Sequence, residues 1–464
     1  MNENKIIENK MGVRPIPGLL LSMSVPAICS MTLQSIYNVV DSLYVSRLGE
    51  QALAAVTLVF PIQMFVISLA VGTGIGLNSL ISRRLGERNY KEANSAANHG
   101  FVLAILSWIL FLIFGLFLTR PFFEWYTESE SLVSMATSYG SIVSAGSIFL
   151  FIQVTGEKIL QATGNMVIPM VSNLLGCITN IILDPIMIFG YFGFPALGVA
   201  GAAIATIIGQ IVGMTAILIF VIRLDHDIHI SLKGFRLNTN IIKNIYAVGF
   251  PAIIMQSILS VAIIFLNMLL IAFSEVAVAV LGVYFRLQSF IFMPVFGLTQ
   301  GAMPILGYNF GARNKSRYMH TFKLTLAVSI FIMSFGFLLF QIFPGQLMDM
   351  FDPSAEMKTM GIKALRMISV CFIPAAASII ISTSFQSTGH GFYSLAMSLL
   401  RQIIFLLPFA YVLSRFYGIE GVLVAYPLAE VLSLLYGVYL FIRVYGREIK
   451  NLDEPRLIDN GMAL

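Results

Sequence analysis

Apolar runs of about twenty residues or more recur along this chain, separated by short polar breaks. A bilayer core needs roughly twenty apolar residues per helix, so each run reads as a membrane span. Twelve are expected, at 18–46, 52–82, 95–119, 132–157, 166–190, 199–222, 242–273, 276–306, 319–343, 357–384, 392–414 and 421–444. Several exceed the minimum length, so they tilt, kink or project beyond the hydrocarbon. Pro26, Pro61, Pro251, Pro294 and Pro408 are the candidate kink points.

The polar positions repeat. Shifted by 225 residues, Pro26-Ala27-Ile28 falls on Pro251-Ala252-Ile253, and Gly72 and Gly76 fall on Gly297 and Gly301. Phe60, Gln63 and Phe65 fall on Phe285, Gln288 and Phe290. The loop Gly86-Glu87-Arg88-Asn89 falls on Gly311-Ala312-Arg313-Asn314, and Gln161-Ala162-Thr163-Gly164 on Gln386-Ser387-Thr388-Gly389. Six spans per half is an even number, so both halves enter the membrane from the same side. The fold class expected is therefore an all-α integral membrane protein. Its two six-helix lobes are related by a parallel pseudo-two-fold repeat, the build of alternating access. The lobes are placed at 1–222 and 242–450, joined by a cytoplasmic linker at 223–241 and followed by a cytoplasmic tail at 451–464.

Composition and charge agree. The chain is 58% hydrophobic and 11% charged, where soluble domains are about a quarter charged. With the N-terminus inside, twenty Lys and Arg fall in cytoplasmic segments, Lys158 among them, and four outside (Arg47, Arg120, Lys358 and Arg415). This bias sets the orientation, with both termini cytoplasmic in a cell (inner) membrane. The net charge of +5 is thus topology and not a nucleic-acid footprint.

Cys29, Cys177 and Cys371 fall far apart in apolar stretches, with no redox or zinc spacing, and read as small buried hydrophobes. The His-rich loop at Asp225-His226-Asp227-Ile228-His229 reads as solvated polar sequence. No phosphate-binding G-x-x-x-x-G-K loop, H-E-x-x-H motif or nucleophile–base pattern occurs, so neither an enzyme nor a cofactor or metal is expected.

One stretch puts ionisable chemistry inside a span, Asn180-Ile181-Ile182-Leu183-Asp184-Pro185. Asn180 and Asp184 are four apart and share a helix face, continued backwards by Cys177 and Asn173. An intramembrane carboxylate is costly and marks function. Asp41 lies roughly twenty residues into the first span and Asp184 a similar distance into the fifth, so at ~1.5 Å per residue both reach the outer half. Two carboxylates at like depth can meet, and like charges in low dielectric let one proton be held between them. Thr206, on the sixth span, is near the same level. Two other readings compete: Asp184 as a helix-end cap with Pro185 breaking the helix, and Asp41 as an interfacial partner of Arg47.

Softer candidates could line a substrate cavity: Gln34 and Tyr37 on the first span, Met255 and Gln256 on the seventh, and Gln288, Phe292 and Met293 on the eighth. Aromatic and Met side chains suit flat, cationic amphiphiles. Arg286, Arg366 and Arg401 lie within spans and are expected to pair or snorkel, with Glu430 a partner for one of them.

Taken together, Pro26 with Asp41, Ser82-Arg83-Arg84-Leu85-Gly86, Gln161-Ala162-Thr163-Gly164-Asn165, Asn180-Ile181-Ile182-Leu183-Asp184-Pro185, Gly198-Val199-Ala200-Gly201-Ala202-Ala203, Phe285-Arg286-Leu287 and Gln386-Ser387-Thr388-Gly389 resemble the multidrug and toxic compound extrusion (MATE) transporters. The resemblance covers essentially the whole chain. It implies a monomeric exporter of bulky, often cationic amphiphilic drugs in exchange for H⁺ or Na⁺. It also matches Asp41, Asn180, Asp184 and Thr206 to the family's first-lobe cation site. The second-lobe acids of the NorM type are missing here, since 242–273 and 359–414 hold no Asp or Glu. The chain therefore looks closer to the DinF and MepA-like branches. Protonation of Asp41 or Asp184 would then favour one arrangement of the first span, bending it at Pro26.

The alternative is a lipid-linked precursor flippase of the same wider superfamily. That reading calls for an Arg-rich central cavity and often two further helices. A receptor or scaffold would need neither the repeat nor the paired acids. A major-facilitator transporter would need an Asp that the loop after the second span lacks.

Overall fold

The computed structural model describes residues 9–223, 228, 230 and 235–453. Among the described residues, ten helices are long and apolar enough to cross a membrane. Nine of them are α1 (Ile16–Ser46), α2 (Gln51–Gly86), α3 (Tyr90–Tyr126), α4 (Glu130–Ala162), α5 (Val167–Phe189), α6 (Val199–Ile222), α7 (Thr239–Ile271), α8 (Glu275–Gly311) and α9 (Lys315–Ile342). A pair bent by 46°, Ala355–Ser369 and Phe372–Thr388, forms an eleventh span, α10. The tenth long helix, Gly391–Ile449, runs for 59 residues, about twice what a bilayer needs. It breaks at Gly418, whose φ of 57° and ψ of −137° lie where only glycine sits at low cost. The break divides it into α11 (391–417) and α12 (419–449), so the count reaches the twelve expected.

The cysteine reading holds only in part: Cys371 is buried, but Cys177 is half-buried and Cys29 exposed on the outside of α1. Asp225, His226, Asp227 and His229 lie outside the described residues.

Both ends of the described chain meet at one end of the bundle. There the Arg317 guanidinium donates to the Met11 and Arg14 carbonyls, and Arg313 donates to those of Asn451 and Leu452. The repeated loops at this terminal end share one geometry. Arg88 and Arg313 each adopt φ 57°, and the next residue, Asn89 or Asn314, caps the following helix by accepting from the backbone N–H of Glu92 or Arg317. Each loop thus reverses the chain in a few residues, with a left-handed turn and an Asn N-cap.

The lobes join through the repeated glycines. A Cβ on Gly72 or Gly76 of α2 would enter the backbone of α7, at Ile253 and Ile245. A Cβ on Gly297 or Gly301 of α8 would enter the backbone of α1, at Ile28 and Ser24. The same relation in both halves is the two-fold repeat expressed as packing. At the terminal end α2 and α8 cross directly, where a Cβ on Gly86 would meet the Tyr308 carbonyl and one on Gly311 the Arg83 carbonyl. Small residues allow this approach, and close backbones gain dispersion contacts that lipid cannot replace. Polar bonds tighten the seam: Ser79 Oγ donates to the Gln386 carbonyl at 2.5 Å and the Arg83 guanidinium to that of Thr388 at 3.5 Å.

Candidate functional site

In the first lobe, α5 crosses α6 at another glycine pair. A Cβ on Gly176 or Gly209 would lie 2.9 or 2.8 Å from the carbonyl oxygen of the other. That crossing sets Thr206 of α6 against α5. Asn180 Nδ2 donates to Asp184 Oδ1 at 3.3 Å and to Thr206 Oγ1 at 3.4 Å, and the Thr206 hydroxyl donates to the Ala202 carbonyl at 3.0 Å. Asp41 of α1 comes within hydrogen-bonding reach of Asp184. Tyr37, one turn before Asp41, reaches Thr206.

The four expected coupling residues therefore lie together, and Tyr37 belongs with them. Both competing readings lose ground. The α5 helix passes through Pro185 and ends at Phe189 on a left-handed Gly190, so Asp184 sits inside the helix, fully buried at 0% exposure. Arg47 lies over the Tyr44 ring, while Asp41 faces Asp184.

Two members escaped sequence reasoning. Tyr139 of α4 faces both acids, and Gln63 of α2 donates from Nε2 to the Tyr139 hydroxyl at 3.0 Å. Gln63 carried a signal, its repeat mate Gln288; Tyr139 carried none. Three buried oxygens of the cluster, Asp41 Oδ1, Asn180 Oδ1 and Asp184 Oδ2, have no hydrogen-bond partner among the described residues. Buried acceptors are normally paired. Oxygens so placed can hold a proton between the acids or coordinate a small hard cation.

A separate cavity of about 430 Å³ lies between the lobes. Met31 of α1, Lys158 and Gln161 of α4, Met255 and Gln256 of α7, Gln300 of α8, Gln386 of α10 and Arg401 of α11 contribute to its wall. Of the other cavity candidates, Gln34 is exposed and Gln288 half-buried. Phe292 packs edge-on against Phe372 with ring centres 5.4 Å apart. Met293 Sδ accepts from Ser35 Oγ at 3.0 Å across the lobe boundary.

Lys158 is not in a loop, as charge counting suggested. Its helix runs on to Ala162, and its ammonium donates to Gln161 Oε1 at 2.9 Å and Gln300 Oε1 at 3.5 Å. Its neighbour Glu157, also buried, turns to the other side of α4. There it accepts from Gln153 Nε2 at 3.0 Å, and Gln153 also donates to Asn173 Oδ1.

Arg401 has Glu430 as its partner at 3.4 Å, with the Glu430 side chain only 8% exposed. Removing one member of such a pair strands the other. Arg401→Ala is expected to cost about 3–5 kcal/mol, read as a lowered Tm of the detergent-purified protein. Adding Glu430→Gln should recover most of that loss. Single and double variants of equal Tm would show the pair to be energetically idle.

Twelve apolar spans in two like halves, a cavity between the halves and a facing pair of buried acids within one of them together define a secondary transporter. The MatE family model matches residues 26–186 and 251–412, so the chain belongs to the MATE family of transporters. The two matches begin at Pro26 and Pro251, the offset of the internal repeat.

The chain is 25% identical over 417 residues to the multidrug export protein MepA of Staphylococcus saprophyticus, covering 90% of this chain and 91% of that one. It is 26% identical over 433 residues to the FAD transporter of Shewanella oneidensis, covering 93% and 95%. A solved structure described as the outward-facing conformation of a multidrug resistance MATE family transporter superposes with a TM-score of 0.87 at 27% identity, covering 97% and 99%. The likeness to MepA proteins agrees with the DinF and MepA-like side of the family.

Proposed function

We propose that this protein is a secondary active efflux antiporter that exports amphiphilic compounds in exchange for H⁺ by alternating access. We place it in the cell membrane with both termini cytoplasmic, on the strength of the Lys and Arg bias, and take it to act as a monomer, each chain holding both lobes and the cavity between them. One observation carries the choice of ion: Asp41 and Asp184 already lie within hydrogen-bonding reach of each other. Two carboxylates this close hold one proton between them. A Na⁺ ion would have to shed its water and recruit the Asn180 and Thr206 oxygens as further ligands.

The coupling path is short. Met31 borders the cavity and Asp41 the acid pair, about ten residues apart on one helix, or ~15 Å along its axis. Loading the acid pair draws α1 towards α5; emptying it leaves two like charges that drive α1 away. Pro26, within the same helix, gives no N–H to the Ser22 carbonyl and so supplies a bending point between cavity and terminus. Proton and cargo are coupled because each prefers a different arrangement of α1. Relatives bear names for multidrug export and for FAD transport, so kinship alone does not fix the cargo.

The test is uphill movement of rhodamine 6G or fluorescein in proteoliposomes. A proton gradient should drive it, and a Na⁺ gradient at matched pH should not. Movement driven by Na⁺ alone would overturn the proton reading, and movement driven by neither would overturn antiport.

A further inference from the structure

The wall of the central cavity has a charge of the wrong sign for a cationic cargo. Among the described residues, its ionisable lining is Lys158 and Arg401, with no Asp or Glu. Arg401 is neutralised by Glu430. Lys158 is not neutralised from within the cavity. Both of its acceptors, Gln161 and Gln300, are uncharged amides, and they occupy two of the three donors an ammonium carries. The nearest acid in sequence, Glu157, projects about 100° around α4 and is held by Gln153.

Glu157 acts on Lys158 only through space, held by Gln153 on the other side of α4, so a buried ammonium whose hydrogen-bond partners are all neutral gains from a counter-ion on the cavity side. The rest of the wall mixes the thioethers of Met31, Met255, Met303 and Met397 and the amides of Gln256 and Gln386 with Ser and Thr hydroxyls and a few aliphatic side chains. A volume of about 430 Å³ is in the range of small-molecule sites. Methionine walls adapt to flat apolar bodies of differing outline.

We propose that the central cavity selects amphiphiles carrying an anionic group, a carboxylate, sulfonate or phosphate, which pairs with the Lys158 ammonium while its apolar body lies against the methionines. The inference rests on the efflux reading only in taking this cavity as the cargo site. It reverses the charge expected from the family resemblance.

The experiment is equilibrium binding to the full chain in phosphatidylcholine nanodiscs at neutral pH, without any gradient, so its outcome is independent of which ion drives transport. Fluorescein (anionic) and rhodamine 6G (cationic) share a xanthene ring and report by fluorescence anisotropy. Wild type is expected to bind fluorescein about tenfold more tightly than rhodamine 6G, Lys158→Met to lose that preference, and Lys158→Arg to keep it. Wild type preferring rhodamine 6G would overturn the proposal without recourse to any variant. So would Lys158→Met weakening both dyes alike, or neither dye binding.

A second arm separates the sources of the anionic group. Phosphatidylglycerol added at about a third of the lipid either competes with fluorescein in wild type but not in Lys158→Met, which supports the proposal with a lipid phosphate as occupant, or leaves fluorescein binding unchanged, which supports it with a soluble cargo. Competition of equal strength in both proteins would place the anion elsewhere and overturn the assignment.

Discussion

Asp184→Asn is expected to abolish proton-driven accumulation of cargo while leaving its equilibrium binding within about threefold. Each unit of ΔpH supplies about 1.4 kcal/mol per proton, enough for about a tenfold concentration ratio when one proton is exchanged per cargo. Wild-type proteoliposomes should approach that ratio at one unit of ΔpH, and the variant should level off at equal concentrations. Asparagine keeps the size of the side chain and can still bond to Asn180, so the α5–α6 crossing survives. What it lacks is an oxygen that takes and gives up a proton. Asp41→Asn should behave in the same way, since the two acids hold one proton between them. Wild-type accumulation in both variants would refute the assignment of coupling to this pair.

Gly311→Leu is expected to force the terminal seam apart. The side chain would be driven into the Arg83 carbonyl and backbone, and no rotamer avoids backbone atoms so close. With Cys29, Cys177 and Cys371 replaced by Ser, a Gln386→Cys reporter in the cavity wall should react with a membrane-impermeant maleimide applied at the terminal end. The expected rate is about tenfold faster in the Gly311→Leu background, because the population is displaced from the sealed arrangement by one to two kcal/mol. Gly86→Leu should repeat the effect from the other lobe. An unchanged labelling rate in both would mean that the seam does not control access.

Much of this was readable in the chain because membrane physics is severe. Spans show as apolar runs, and Asn180 and Asp184 stood out since intramembrane polar groups are rare. Glycines found at a 225-residue offset without an evident reason turn out to be the points where the lobes touch. Pro185 misled in the opposite direction. Proline blocks one backbone bond but does not end a helix whose other turns are packed, and α5 runs on to Phe189. Lys158 misled because a charge at the edge of an apolar run looks like an exit from the membrane. Its helix of 33 residues is longer than the ~30 Å hydrocarbon requires, and neighbouring amides shelter the charge. Tyr139 was invisible, and Gln63 showed only as the repeat mate of Gln288, because only the docking of α2 and α4 brings them to the acids.

The glycine contacts also define a lever. Gly72 and Gly297 bear on α7 and α1 at either side of the pseudo-axis, while Gly86 and Gly311 lie about fourteen residues, or ~21 Å, further towards the termini. A rock of about 15°, of the size seen when subunits rotate on an interface, would carry the outer pair through about 5 Å and displace the inner pair very little. An opening of that size at the rim admits a small amphiphile. The inner glycines would serve as bearing and the outer pair as latch, so damage to either should read differently in kinetics: a worn bearing slows every cycle in both directions, whereas a broken latch leaks.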